Sequence, residues 1–237
     1  MKKNFFRSPR FLNRGFTLLE LAVSLSIIFL VLSAVTIGRD VHRNAAYQRI
    51  SSDFVQGWLL AYDSYVTATG NVPGDKVTAP TGRVNGDVVP IASLCGTNLL
   101  TAMQAAGIAL PEGRTEGSAD RYVYLDTNGI PHEIQVCFSN EEWSEPGSTS
   151  GTYVVRSRNV MRLTGLTPAL ANLLDGQIDN HPDARFGRMR EQSQAALKTS
   201  TSSLWSLDER VRYGDTSATN LDESQAAEMT GYIKMNR

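Results

Sequence analysis

Histidine and cysteine are scarce in this 237-residue chain, with three of the first and two of the second. His42, His132 and His181 are too scattered to suggest a metal or catalytic set. The sequence has no G-x-S-x-G elbow, Walker loop, H-E-x-x-H pair or dinucleotide fingerprint, and no internal repeat. With no catalytic constellation visible, an enzyme is not expected. Acids are missing from the first fifteen residues, where Lys2, Lys3, Arg7, Arg10 and Arg14 stand unopposed. The overall charge of −1 therefore leaves about −6 for the remainder of the chain. A mildly acidic body lacks the positive field that nucleic acid requires, so nucleic acid is not an expected partner.

Behind the basic prefix lies a run of 22 residues, Phe16 to Ile37, whose only formal charge is Glu20. About 20 such residues suffice to cross a bilayer as a helix. The basic residues before it hold that end in the cytoplasm, and the rest of the chain faces outward. A secretory signal is cut after its apolar core, at small residues. Here the small residue, Gly15, precedes the core, so a cut there would keep the apolar run as the new N-terminus. Glu20 in hydrocarbon is costly, by at least a few kcal/mol, and needs a partner or a function. Cys95 and Cys137 fall in the exported part. An even pair in an oxidising compartment reads as one disulfide, with two separate buried thiols as the alternative.

Beyond Ile37 the pattern becomes amphipathic. Ile50, Phe54, Trp58, Ala61 and Tyr65 form one row, and Val55, Leu59, Tyr62 and Val66 a neighbouring one. Together they predict a helix over residues 16–68, transmembrane over 16–37, with Gly70, Pro73 and Gly74 as its stop. Residues 69–237 then make a globular head. It opens with a Gly- and Pro-rich loop to residue 92 and a short helix at Thr97–Ala106 closed by Gly107. A hairpin turns at Asn128-Gly129, with Tyr122 and Tyr124 before it and Ile134, Val136 and Phe138 after. A third strand is predicted at Thr152–Ser157. Thr167 and Pro168 open a helix as N-cap and first residue. Residues 193–220 read as irregular, anchored by Trp205 and Leu207. Asn220 and Glu223 have capping-box spacing for a last helix through Met229.

The stretch GFTLLE, residues 15–20, with the basic leader before it and the apolar run after it, resembles the N-terminus of type IV pilins and type II secretion pseudopilins. The likeness covers roughly residues 7–68. It implies an α+β fold in which the long helix packs on a small antiparallel sheet with extra short helices. It implies that residues 1–15 are a leader cut between Gly15 and Phe16 by a prepilin peptidase, and that Phe16 is then N-methylated. The subunit would wait in the bacterial inner membrane as a single-pass protein, its N-terminus cytoplasmic and its head periplasmic. An assembly platform would then pack it with other pilin subunits, in a homo- or hetero-filament. Glu20 matches the family's assembly residue, and it would neutralise the new amino group of Phe16 on a neighbour. Many pilins bend this helix at a proline near the end of the apolar run; Gly38 stands here instead.

Three further groups have competing readings. Asp175, Asp179 and Asp183 lie close together in sequence and could hold Ca²⁺, as some pseudopilin heads resemble this in doing, or could be a solvated helix end. Arg185, Arg188 and Arg190 beside Phe186 form a basic knot that reads as DNA- or anion-binding, or as a salt-bridging surface facing those aspartates. Asp126 and Asn128 are explained by turn geometry. The expectation is thus a structural subunit of a pilus or secretion filament, minor rather than major, whose head supplies adhesion, priming or substrate contact. The rival is a membrane-anchored binding or enzymatic domain that uses the helix only as a tether.

Overall fold

The computed structural model describes residues 17–86, 93–113, 118–211, 213 and 226–236. Gly15, Phe16 and the leader lie outside these residues, as do Asn220 and Glu223. The chain divides into two compact units, Met1–His42 and Arg43–Arg237. It is an α+β protein: an apolar N-terminal helix, further helices, and a six-stranded antiparallel sheet.

Helix α1 spans Leu18–Arg49 and passes Gly38 without a break. Within it, Leu18–Val35 is long and apolar enough to cross a membrane, and none of it is buried. Its serines do not leave polar groups idle. Ser24, Ser26 and Ser33 each donate to the carbonyl four residues back, at 2.7–2.9 Å, which satisfies the hydroxyls within the helix itself.

In the second unit the helix changes form. Ile50–Val55 is a π-helix, with the Gln56 amide donating to the Ser51 carbonyl, and α2 runs on from Gln56 to Thr69. The apolar rows explain the wider turn. Residues spaced by four in an α-helix drift about 40° per step around the axis. Ile50, Phe54 and Trp58 would soon leave the sheet, whereas a turn with one extra residue pulls the stripe back. All three are fully buried, as are Val55 and Tyr62. Tyr65 is only partly buried, at the margin of the core. Gly70 ends α2 at φ +76°, its amide on the Val66 carbonyl.

The sheet contains β1 (Leu94–Cys95), β2 (Arg121–Leu125), β3 (Pro131–Pro146), β4 (Tyr153–Leu166), β5 (Met189–Glu191) and β6 (Met229–Lys234). Its order is β1-β3-β4-β6-β5, with β2 also on β3. Helix α3 (Gly96–Ala105) comes directly after β1, and Gly107 closes it at φ +72°. Helix α4 (Pro168–Asp179) comes after β4. The inner face is set by alternation. Ile134, Val136, Phe138, Met161, Leu163 and Ile233 are fully buried there. The helix meets this face through rings: Phe54 on Tyr122, and Trp58 and Tyr62 on Phe138, with centroids 5.0–6.1 Å apart. Trp58 Nε1 donates to the Ala119 carbonyl at 3.2 Å, and Tyr47 Oη to that of Leu125 at 3.2 Å. Trp58 and Tyr47 are thus buried without leaving their polar tips unpaired.

Several expectations are corrected. The predicted hairpin is present, and since Leu125 pairs with Pro131 its turn at Asn128-Gly129 lies in a five-residue loop, 126–130. Gly129 alone takes positive φ, and Asp126 Oδ1 accepts from the amides of Asn128 and Ile130, both at 2.8 Å. An Asx-type carboxylate organises this loop. The third strand reaches Leu166 instead of ending at Ser157, because β6 supplies it with a second partner. Met229 opens that strand and does not close a helix. Thr167 is the N-cap residue of α4, but its hydroxyl makes no cap bond. Glu209 Oε2 accepts from the Ala169 amide instead, at 3.3 Å. Trp205 is buried as expected, whereas Leu207 is almost fully exposed.

Candidate functional site

The N-terminal motif begins, among the described residues, at Thr17. Its amide and hydroxyl donate to Glu20 Oε2 at 2.9 and 3.0 Å, and the Glu20 amide donates back to Thr17 Oγ1 at 3.2 Å. This is a capping box: each side chain satisfies an amide that the first helical turn leaves without a partner. Glu20 therefore caps its own helix. The carboxylate also stands at the positive end of the helix dipole, where negative charge is favoured. From Leu18 onward the helix around it exposes Leu, Ile, Val and Phe on every side. An exposed apolar helix of this kind is compatible with lipid or with packing against other helices, and with little else.

In the head, Cys95 and Cys137 form a disulfide across the β1–β3 pair, with Cα atoms 4.5 Å apart. It ties a two-residue strand and α3 to the sheet.

The three aspartates are not a solvated helix end. Asp175 is completely buried and Asp183 nearly so. Asp175 Oδ2 accepts from Trp205 Nε1 at 2.6 Å and the Asp183 amide at 2.7 Å. Asp179 Oδ2 takes the amides of Arg188 and Met189, at 2.8 and 3.0 Å. Asp183 accepts the amides of Arg185 and Phe186, at 2.9 and 3.2 Å, and the Ser202 hydroxyl. Each carboxylate folds the chain after α4 around itself. Among the described residues, no group of three or more His, Cys, Asp or Glu side chains is arranged to hold a metal ion. Burial pushes the Asp175 carboxyl up to about 8, helped by its hydrogen bond and charge repulsion with Asp179.

The basic knot is taken apart. Arg190 is buried, its guanidinium 4.2 Å over Trp143 and donating to the carbonyls of Gly187, Ser144 and Ala195. Desolvation brings it down to about 10. Arg188 Nε reaches the Lys234 carbonyl, and Arg185 holds Gln194 Oε1 and the Thr201 carbonyl. Among the described residues none of the three pairs with the aspartates through its guanidinium. The backbone amides of Arg185 and Arg188 do so instead.

A group that sequence reading missed lies where β3, β4 and the end of β6 meet. Glu145 receives Arg158 bidentately, at 2.8 and 2.7 Å, with Lys234 Nζ at 3.5 Å and Arg156 Nε at 3.8 Å. The hydrogen bond from Arg158 is the main cause that lowers the Glu145 carboxyl to about 2. No local pattern could reveal it, because the strands bring together residues from distant parts of the head.

Helix, sheet and exposed apolar N-terminus together are a pilin-like arrangement. Residues 10–36 match the family described as the prokaryotic N-terminal methylation motif, which is the class III signal peptide of type IV pilins and pseudopilins. The motif supports a pilin-like or pseudopilin precursor and implies processing by a prepilin peptidase, membrane anchoring and assembly into a pilus-like filament. It points to a structural family. No curated protein and no solved structure matches the chain.

Proposed function

We propose that the chain is a minor pilin or pseudopilin, cut between Gly15 and Phe16, N-methylated on Phe16, and assembled through its helix into a type IV pilus or a type II secretion filament. The observation that carries this is Glu20, the only formal charge in an exposed apolar segment that opens directly behind a basic, glycine-ended leader. In the unassembled subunit Glu20 is occupied by Thr17 of its own chain. During assembly its carboxylate meets the positive N-terminus of a neighbouring Phe16. Desolvation offsets much of that attraction, so the pair acts chiefly on axial register: a misplaced subunit leaves two charges uncompensated. The head, on the periplasmic or extracellular side, supplies contact with partners or substrate.

Mass spectrometry of the mature protein tests the processing step. N-methyl-phenylalanine at position 16 is expected; an intact Met1, or cleavage after residue 37, overturns the proposal. Glu20→Ala should insert normally in the membrane and fail to enter filaments. Normal incorporation would remove Glu20 from assembly.

A further inference from the structure

The Glu145 cluster borders a cleft of about 610 Å³ lined by residues of four separate segments, among them Arg83, Asn140, Ser157, Arg158, Asn159 and Lys234. That volume is typical of sites for small organic ligands. Three cations and one carboxylate, Glu145, face it, and Arg158 already binds the carboxylate with two of its nitrogens. Lys234 holds Glu145 only loosely, and the Arg83 side chain is exposed on the rim. The cleft therefore keeps a surplus of positive charge within a head that is acidic as a whole.

The walls are fixed before any ligand arrives. Asp75 accepts the Thr81 and Gly82 amides, both at 2.8 Å, and the Thr81 hydroxyl at 2.9 Å. Asn159, buried in the floor, donates to the Gly82 carbonyl at 2.8 Å and accepts the Val84 amide at 3.0 Å. The backbone that carries Arg83 is thus pinned on both sides, so binding has only its side chain left to order. Asn140 joins the same network through its amide on Asn159 Oδ1.

We propose that this cleft binds an anionic saccharide, with the sugar's carboxylate between Arg83 and Lys234 and its hydroxyls on the floor of amides and hydroxyls. Ser157, Asn140 and Thr81 each use at least one hydrogen bond within the protein, and their remaining lone pairs and amide hydrogens suit sugar hydroxyls. An acidic peptide would also bring apolar side chains, which this largely polar lining does not match. The inference does not depend on the filament reading.

Saturation-transfer NMR on the full-length protein in neutral detergent micelles tests it, with digalacturonate as the probe. Saturable binding is expected, weakened at least fivefold by Arg83→Gln and again by Lys234→Gln. The Arg83 variant should fold normally, since its side chain supports no described contact. Absence of saturable binding, or equal binding by Arg83→Gln, would overturn the proposal. So would equal binding of neutral galactobiose, displacement by inorganic phosphate at matching concentration, or tighter binding of a tetraglutamate peptide.

Discussion

Asp175→Asn should flatten the pH dependence of stability in the head. In the folded chain the Asp175 carboxyl titrates at about 8, against an unfolded value near 3.9. The unfolded chain therefore gives up this proton first, and raising the pH between those values favours unfolding. The stabilising contribution is complete below pH 4 and is lost as pH rises through 8. Within that window the slope is about 1.4 kcal/mol per pH unit, so pH 5 to 7 costs about 3 kcal/mol from the Asp175–Asp179 pair, which titrates together. Asparagine has the same shape and its carbonyl oxygen can keep both Trp205 Nε1 and the Asp183 amide. Its NH₂ replaces the carboxylic hydroxyl that faces Asp179. The assay is thermal unfolding of the full-length protein in neutral micelles, tracked by near-ultraviolet circular dichroism at pH 5, 6 and 7. For a unit of this size, 3 kcal/mol corresponds to roughly 6–12 °C. The midpoint of the native protein should fall relative to Asp175→Asn by about that much across the range. Parallel profiles, or a variant already much weaker at pH 5, would refute the reasoning.

Three further outcomes rest on the packing. Replacing Cys95 and Cys137 by serine should lower head stability by about 4 kcal/mol, the chain-entropy value for a crosslink spanning 42 residues, read as the shift in urea midpoint. Gly165→Ala should cost at least about 2 kcal/mol, because φ is +76° and a Cβ would sit 2.0 Å from the Glu133 carbonyl; Gly151→Ala, with open space around it, should cost nearer 1 kcal/mol in the same assay. Arg190→Ala should cost about 3 kcal/mol and change the near-ultraviolet signal of Trp143, since three carbonyls and the indole face lose their cation together; an unchanged denaturation curve would show that the buried cation contributes nothing.

The legible parts of this protein are those written in local chemistry. Gly107 and Gly70 stop their helices where a left-handed residue is needed, and Pro168 starts one. The apolar run and Glu20 are read from composition alone. The elements that escaped are those whose partners are distant. β6 is short, and only β4 and β5 on either side of it make it a strand. The Asn-Gly pair marked where the hairpin turns, but the length of the loop depends on Asp126, which accepts two amides. The spacing of the aspartates and arginines suggested metal or salt bridges, whereas burial gave the carboxylates to the backbone. The π-turn arises from rows spaced by four that drift faster than the sheet allows, a signal that the buried rows carry but that no single residue announces.

The place of β6 has a bearing on how the molecule comes into being. A polypeptide emerges N-terminus first, and by the time β6 is made, β1 to β5 have all appeared. Yet β4 and β5 meet only through β6, so the sheet stays divided until residues 229–234 are delivered. The long β3–β4 hairpin can form early, because its strands are joined by a short loop. The segment carrying α4, the three aspartates and β5 can reach the sheet earlier through Leu170, Leu174 and the Ala195 carbonyl, but β5 gains its strand partner only when β6 arrives. A chain that lacks residues 229–234 therefore leaves the edge of β4 and all of β5 without the strand that joins them, and open edges of that kind invite mispairing.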